Sequence, residues 1–313
     1  MTTEYRHTPV LLAEVTHYLS PHQGSIVVDG TLGGAGHAAK IASAIAPDGL
    51  LIGIDQDDAA LAAAADTLRL GQQTRLLKGN FGDLDALLAD AKVPYVEGFL
   101  FDLGVSSPQL DFTERGFSYK GDAPLDMRMD ATAGGITAAD VVNTYKEADL
   151  ARVIRDYGEE RWASRIAAFI VAARARRPVS TTSELVEIIK SAVPAAARKE
   201  GPHPARRTFQ ALRIEVNREL DVLQQALDAA VRWLVPGGRI VVITYHSLED
   251  RIVKQTFAGY AQGCTCPPDL PVCVCDAKPV LRVLTRRAVT PTAEEVERNP
   301  RSRSAKLRAA EKL

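Results

Sequence analysis

Cysteine is scarce in this chain of 313 residues, and all four copies lie between Cys264 and Cys275. A set so small and so clustered does not form a disulfide scaffold for a chain of this length. Long apolar runs are missing too. No stretch approaches the ~20 residues needed to cross a bilayer, and the first forty residues lack the basic segment, apolar core and cleavage site of a secretory signal. The expected location is therefore the cytoplasm. Nor does either sign of charge dominate: 38 Lys and Arg stand against 39 Asp and Glu, a net charge of −1. What remains is a globular composition, 46% hydrophobic and 25% charged, with enough chain for one large domain or two.

The charge is unevenly spread. Lys278 to Leu313 holds ten Lys and Arg against four Glu, a local balance of +6 that leaves −7 for the remainder, and Arg198, Lys199, Arg206 and Arg207 form a second basic cluster. Such runs are commonly solvated faces, so the pattern permits an RNA partner without requiring one.

The stretch that organises the chain is Ser25 to His37. An apolar β-branched run ends in Asp29, passes through four glycines between Gly30 and Gly36, and enters an alanine-rich helical pattern from Ala38 to Ala46. This reads as strand, tight turn and helix. Glycine serves where the backbone takes positive φ or a ligand approaches closely, and the helix N-terminus offers unpaired N–H groups. Leu50 to Asp55 reads as a second buried strand, with its acid roughly 20 residues beyond the glycines, the spacing at which a carboxylate takes ribose hydroxyls. Two ligands suit this pattern. One is a nicotinamide dinucleotide, since Gly34-Ala35-Gly36-His37-Ala38-Ala39 fits the glycine fingerprint. The other is S-adenosylmethionine, favoured by Asp29, whose charge at the mouth of the turn repels a pyrophosphate and suits a cation.

Further along, Thr8-Pro9 suggests the start of a leader helix. Thr74 to Lys78 reads as a third strand, and Gly79 to Gly82 as the turn at its carboxyl end, where Phe81 is placed either to stack on an adenine or to fill the core. Val96 to Phe101 forms a fourth strand ending at Asp102. Strand and helix have by then alternated four times, the pattern of a parallel, doubly wound α/β sheet. Asp102 and the polar residues that follow suit a pocket that accepts hydrogen bonds from an exocyclic amine; a turn-capping role is the simpler alternative.

The αβ rhythm stops at Asp111. Four helical patterns follow (138–145, 148–157, 160–175 and 182–192), consistent with an inserted subdomain. Phe117 and Tyr119 are candidates to stack a flipped base or to plug a core edge, and Arg174, Arg176 and Arg177 to meet phosphate or solvent. Arg206 to Leu234 reads as one long amphipathic helix ended by Pro236-Gly237-Gly238, Arg239 to Thr244 as a fifth strand, and Val280 to Val289 as a sixth. Alternation from Ser304 to Ala309 marks a closing strand. Ser247 and Asp250 are spaced as a helix cap and its capping-box partner, which argues against a Ser/His/Asp hydrolase and leaves His246 as site wall or structural residue. The paired cysteines have one intervening residue where zinc sites usually have two to four.

Taken together, Gly30 to His37, Asp102 to Asp111, Arg115 to Tyr119, Pro124 to Asp130, His203 to Arg213 and Tyr245 to Lys254 resemble the RsmH (MraW) family, over a span from His7 to the last strand. The resemblance implies a class I S-adenosylmethionine-dependent methyltransferase, Rossmann-like with a mostly parallel sheet and an inserted all-helical subdomain. Methyltransferase residues would be 1–110 and 207–313, and residues 111–206 the substrate-recognition insert. It implies transfer of a methyl group to N4 of a cytidine in the decoding region of bacterial 16S ribosomal RNA, within an assembled or nearly assembled small subunit. It also implies that Ala35, Gly36 and His37 contact S-adenosylmethionine at the glycine turn, Asp55 its ribose and Phe81 its adenine side. Asp102 and Gln109 complete the pocket, with Asp102 the catalytic candidate. The cysteine loop falls outside the resemblance, and no metal is expected.

Overall fold

Five of the apolar runs pair in parallel: β1 (Ile26–Asp29), β2 (Leu50–Asp55), β3 (Thr74–Lys78), β4 (Val96–Asp102) and β5 (Leu234–Thr244). This is a computed structural model that describes residues 9–68, 73–104, 115–132, 134–199, 202–263, 266, 275 and 277–313. Two antiparallel strands, β6 (Leu281–Val283) and β7 (Lys306–Lys312), complete a seven-stranded sheet in the order β3-β2-β1-β4-β5-β7-β6. The order reverses between β1 and β4, so the crevice outside the carboxyl ends of those strands is the place where open α/β sheets bind ligands. The mostly parallel Rossmann-like sheet is as expected.

The central strands are buried on both faces, which is why they read as continuous apolar runs. Val28, Ile52, Phe99, Phe101, Ile240 and Val242 face one core with Leu84, Leu227 and Phe257. Val27, Leu51, Leu100, Val241 and Ile243 face a second with Leu11, Val15, Ile41 and Ile45. Helices α1 (Leu12–Leu19), α2 (Gly36–Ile45), α3 (Asp58–Leu68) and α4 (Leu84–Asp90) supply the crossover layers. The leader helix begins at Leu12 rather than at Pro9, because Leu11 takes φ 53° and donates its N–H to Glu295 Oε1 at 2.8 Å.

The chain divides into two compact units, Met1–Gly104 with Leu220–Leu313, and Val105–Glu219. In the second, α5 (Ala138–Thr144), α6 (Glu147–Gly158), α7 (Ala163–Arg174), α8 (Thr182–Ala192), α9 (Ala195–Lys199) and α10 (Arg206–Asn217) enclose a core of their own that includes Phe117, Leu150, Ile166, Leu185, Phe209 and Leu212. The four helical patterns expected here all appear. The expected boundary at 207 moves, because the single long helix does not exist. It breaks at Arg218, whose φ is 49°, into α10 and α11 (Glu219–Trp233). Asn217 secures the break: its side chain donates to the carbonyls of Met127 and Arg213 and accepts from Met129 N–H, each at 2.8 Å. The apolar face of α10 therefore belongs to the helical unit.

Three sheet details also differ. β5 starts at Leu234, since Pro236-Gly237-Gly238 forms an irregularity opposite Glu97 within the strand. The sixth strand shortens to three residues, with Val289 meeting Leu307 only as an isolated bridge. The closing strand runs on to Lys312. Helix α12 (Ser247–Ala261) follows β5, and α13 (Ala293–Arg298), which no sequence pattern announced, precedes β7. Among the described residues no helix is long and apolar enough to cross a membrane.

Gly30 is closely packed within the glycine turn: a Cβ there would sit 2.5 Å from Cε1 of the fully buried Phe101 ring. Gly30→Ala should lower stability by about 1–3 kcal/mol, the usual cost of overpacking, and melting temperature by several degrees. An unchanged melting curve would show that this edge of the sheet yields freely.

Candidate functional site at the carboxyl edge of the sheet

Asp29, Asp55 and Asp102 are the last residues of β1, β2 and β4. Since β1 lies between the other two and pairs with both in parallel, three carboxylates gather at one edge, two of them flanking the switch point. Each is held by backbone or side-chain donors. Asp29 Oδ1 accepts from Thr31 N–H at 3.1 Å. Asp55 Oδ2 accepts from Gly33 N–H and Oδ1 from Asp57 N–H, both at 2.9 Å. Asp102 Oδ1 accepts from the Tyr245 hydroxyl at 2.8 Å, while its own N–H donates to Thr31 Oγ1 at 2.6 Å.

The glycine turn takes left-handed backbone at two positions. Gly33 has φ 46° and Ala35, which caps α2, has φ 58°; the left-handed region is costly for a residue with a side chain. Ala35 is the smallest that can pay for it, and its N–H donates to Leu32 carbonyl at 2.8 Å. Gly36 packs against Pro9, with room for no Cβ, whereas nothing lies within 4 Å of a Cβ at Gly34. Among the described residues, the space beside Gly33 and Gly34 is thus open, while Gly36 is packed. His37 is buried. Its Nε2 donates to the Val10 carbonyl at 2.9 Å, which turns Nδ1 toward Asp102 Oδ2 at 3.6 Å.

Of the expected site residues, the structure therefore brings Ala35, Gly36, His37, Asp55 and Asp102 to one edge of the sheet. Phe81 follows β3 in a short 3-10 turn; it is half-buried, packs on the core, and lies 5.9 Å from the Phe101 ring. Gln109 lies outside the described residues, as do Cys264 and Cys273; Cys266 and Cys275 are half-buried. Phe117 is buried in the helical core under the Arg115 guanidinium, and Tyr119 stacks on His203 with centroids 4.7 Å apart. Phe117 thus fills the core edge, and Tyr119 has one ring face taken up by His203. Arg174 is likewise structural, donating to the carbonyls of Val142 and Tyr145 at 2.6 Å.

The capping expectation shifts by one residue. His246, not Ser247, caps α12: its Nδ1 accepts from Glu249 N–H at 3.4 Å, and Glu249 Oε2 accepts from the N–H groups of Tyr245 at 2.8 Å and His246 at 3.2 Å. Asp250 pairs instead with Arg308 at 2.6 Å and Lys306 at 3.4 Å, so no hydrolytic triad exists here. Sequence reasoning missed Thr31 and Tyr245. Both were signalled only by position, Thr31 beside Gly30 and Tyr245 as the first residue past a strand adjacent to β4.

Burial sets the electrostatics. It pushes the Asp29 carboxyl from 3.8 up to about 6, with nearby His37 opposing the rise and Asp102 and Asp55 adding to it. Asp55 is raised by burial as well. Burial first, and then the Asp102 charge, drive the Tyr245 hydroxyl far above the ordinary phenol range, so it remains a donor. Burial of this kind disfavours charge of either sign, and the Asp102 charge keeps the Tyr245 hydroxyl protonated.

A carboxyl raised on folding contributes stability that is full below its unfolded value and is lost as pH climbs through the folded one, here between about 4 and about 6. Asp29→Asn removes this dependence while keeping an acceptor for Thr31. The variant should gain stability over the parent at pH 8 relative to pH 4.5, by up to about 2 kcal/mol. Denaturation at the two pH values checks this, and an equal difference at both would clear Asp29.

The sequence matches the profile of the MraW methylase family over residues 4–313. It is 58% identical over 310 residues to the ribosomal RNA small subunit methyltransferase H of Geobacter sulfurreducens, covering 99% of each chain. To the proteins of that name from Symbiobacterium thermophilum and Heliobacterium mobile it is 57% and 52% identical, covering 99% of this chain and 97% and 100% of theirs. With the profile spanning nearly the whole chain and relatives this similar from end to end, the chain belongs to the MraW methylase family.

Proposed function

We propose that this chain methylates small-subunit ribosomal RNA, transferring a methyl group from S-adenosylmethionine to N4 of a cytidine in the decoding region of 16S RNA. The observation that carries the reading is the trio of strand-end carboxylates at the switch point, in a chain whose relatives are named as small-subunit ribosomal RNA methyltransferases. A nicotinamide dinucleotide would have to set its pyrophosphate against the same three acids.

The residues present fit S-adenosylmethionine. Asp55 stands at the tip of β2 where a ribose is expected, the open side of Gly34 leaves room for close approach, and the acidic edge suits a cationic aminoacyl sulfonium. When bound, it would supply an electrophilic methyl carbon to N4 and leave as the neutral thioether, with the proton that N4 sheds passing to Asp102 Oδ2 and on to solvent. The work of the chain is to hold an amine whose lone pair is conjugated with its ring. Asp102, fixed through its backbone by Thr31 and through Oδ1 by Tyr245, offers Oδ2 to an N–H of that amine. This orients the nitrogen and stabilises positive charge as it develops. The helical unit, with its own core, takes the role of RNA recognition on a partly or nearly assembled small subunit. On this reading the protein works in the cytoplasm.

Two measurements test this. Tritiated methyl transfer from S-adenosylmethionine to small ribosomal subunits of a strain lacking the protein should place label in N4-methylated cytidine; label on another atom would overturn the acceptor assignment. Asp55→Ala should weaken S-adenosylmethionine binding in calorimetry about 10-fold or more, whereas Asp102→Ala should cut turnover at least about 100-fold with cofactor affinity within about 3-fold. Equal losses of turnover and affinity in Asp102→Ala would reduce it to a binding residue.

A further inference from the structure

Tyr245, the first residue past β5, belongs to no predicted part of the site, yet it is tied into it at two points. Its ring is half-buried and packs against the sheet core, its hydroxyl donates to Asp102 Oδ1 at 2.8 Å, and its N–H donates to the buried Glu249 at 2.8 Å. Gly104, two residues past Asp102, leaves room for the ring: with φ 103°, a Cβ there would lie 3.3 Å from Tyr245 Cδ2. Asp102 is consequently gripped from two sides. The glycine turn holds its backbone through Thr31 and faces its Oδ2 with His37, and β5 holds its Oδ1.

We infer that Tyr245 is a positioning residue for methyl transfer, fixing the rotation of the Asp102 carboxylate so that Oδ2 stays directed at the acceptor amine. The inference rests on the reading of Asp102 given above. A carboxylate anchored at one point swivels about its terminal torsion, which is broad, and a misplacement of the order of an ångström costs about 100-fold in rate. A hydrogen bond to Oδ1 removes that freedom. It fixes Oδ2 on the side that faces His37, and burial and the Asp102 charge keep the phenol a hydrogen-bond donor.

A double-mutant cycle decides the point. Tyr245→Phe keeps the ring and removes only the hydroxyl, so melting temperature and S-adenosylmethionine affinity should stay near those of the parent while kcat on small ribosomal subunits falls about 10- to 100-fold. In an Asp102→Ala background the same change should cost nothing further, since the group it positions is gone. If Tyr245→Phe turns over like the parent while Asp102→Ala is crippled, or if its loss persists in full without Asp102, the positioning role is overturned and the reading of Asp102 survives. If Asp102→Ala itself retains parental turnover, the reading of Asp102 falls first and the inference with it.

Discussion

Like charge forced into one place is the constraint on which the site depends. Parallel pairing of β1 with β2 and β4 leaves no freedom in where the three strands end, and each ends in an aspartate. The repulsion and the desolvation are both unfavourable, and the surrounding residues make sense as answers to them. Thr31, Gly33 and Asp57 turn N–H groups inward, Tyr245 turns a hydroxyl, and His37 turns a ring nitrogen. A protein gains nothing in stability from such an arrangement. Its retention is explicable as preorganisation for positive charge, which the proposed reaction brings in at the sulfonium and develops at the amine.

The same constraint explains which parts of the site were legible from residues alone. Asp55, Phe81 and Asp102 stood out because each closes or follows an apolar run that announces a strand, and parallel pairing brings such strand ends to one edge. Ala35, Gly36 and His37 came only through the family resemblance; the residues alone announced a glycine turn there and no more. Tyr245 and Thr31 were not legible, since their roles come from the pairing of strands far apart in sequence: 143 residues separate Tyr245 from Asp102 and 71 separate Asp102 from Thr31. The fold was read on the same terms. Alternating elements with local periodicity, α2 to α4 and α5 to α8, appear where expected. What failed was punctuation: a helix broken by a left-handed Arg218, a helix capped by His246 one residue before the obvious serine, and a Pro-Gly-Gly that bends a strand instead of ending a helix.

The helical unit shows how tertiary context overrides a plausible local reading. Aromatic and basic residues in an insert invite assignment to nucleic acid, yet Phe117, Tyr119 and Arg174 spend their rings and donors inside the unit. Its irregular opening segment is held by side chains in the same way: Asp126 and Arg128 form a two-point ion pair, and Asn217 reaches back to Met127 and Met129. These contacts make the insert a folded body rather than a loop.

The placement of β7 has a consequence for aggregation. It does not extend the sheet from its edge but fits between β5 and β6, pairing with both. Until that strand docks, β5 presents Ile240-Val241-Val242-Ile243 as an open edge, a β-branched apolar run without proline or charge, which is a template for intermolecular pairing. The strand that covers it brings Lys306, Arg308 and Lys312, of which the first two pair with Asp250 and the third donates to the Val231 carbonyl. The basic character of this last segment, which at first suggests a polyanionic partner, thus serves in part as the gatekeeper of a vulnerable edge.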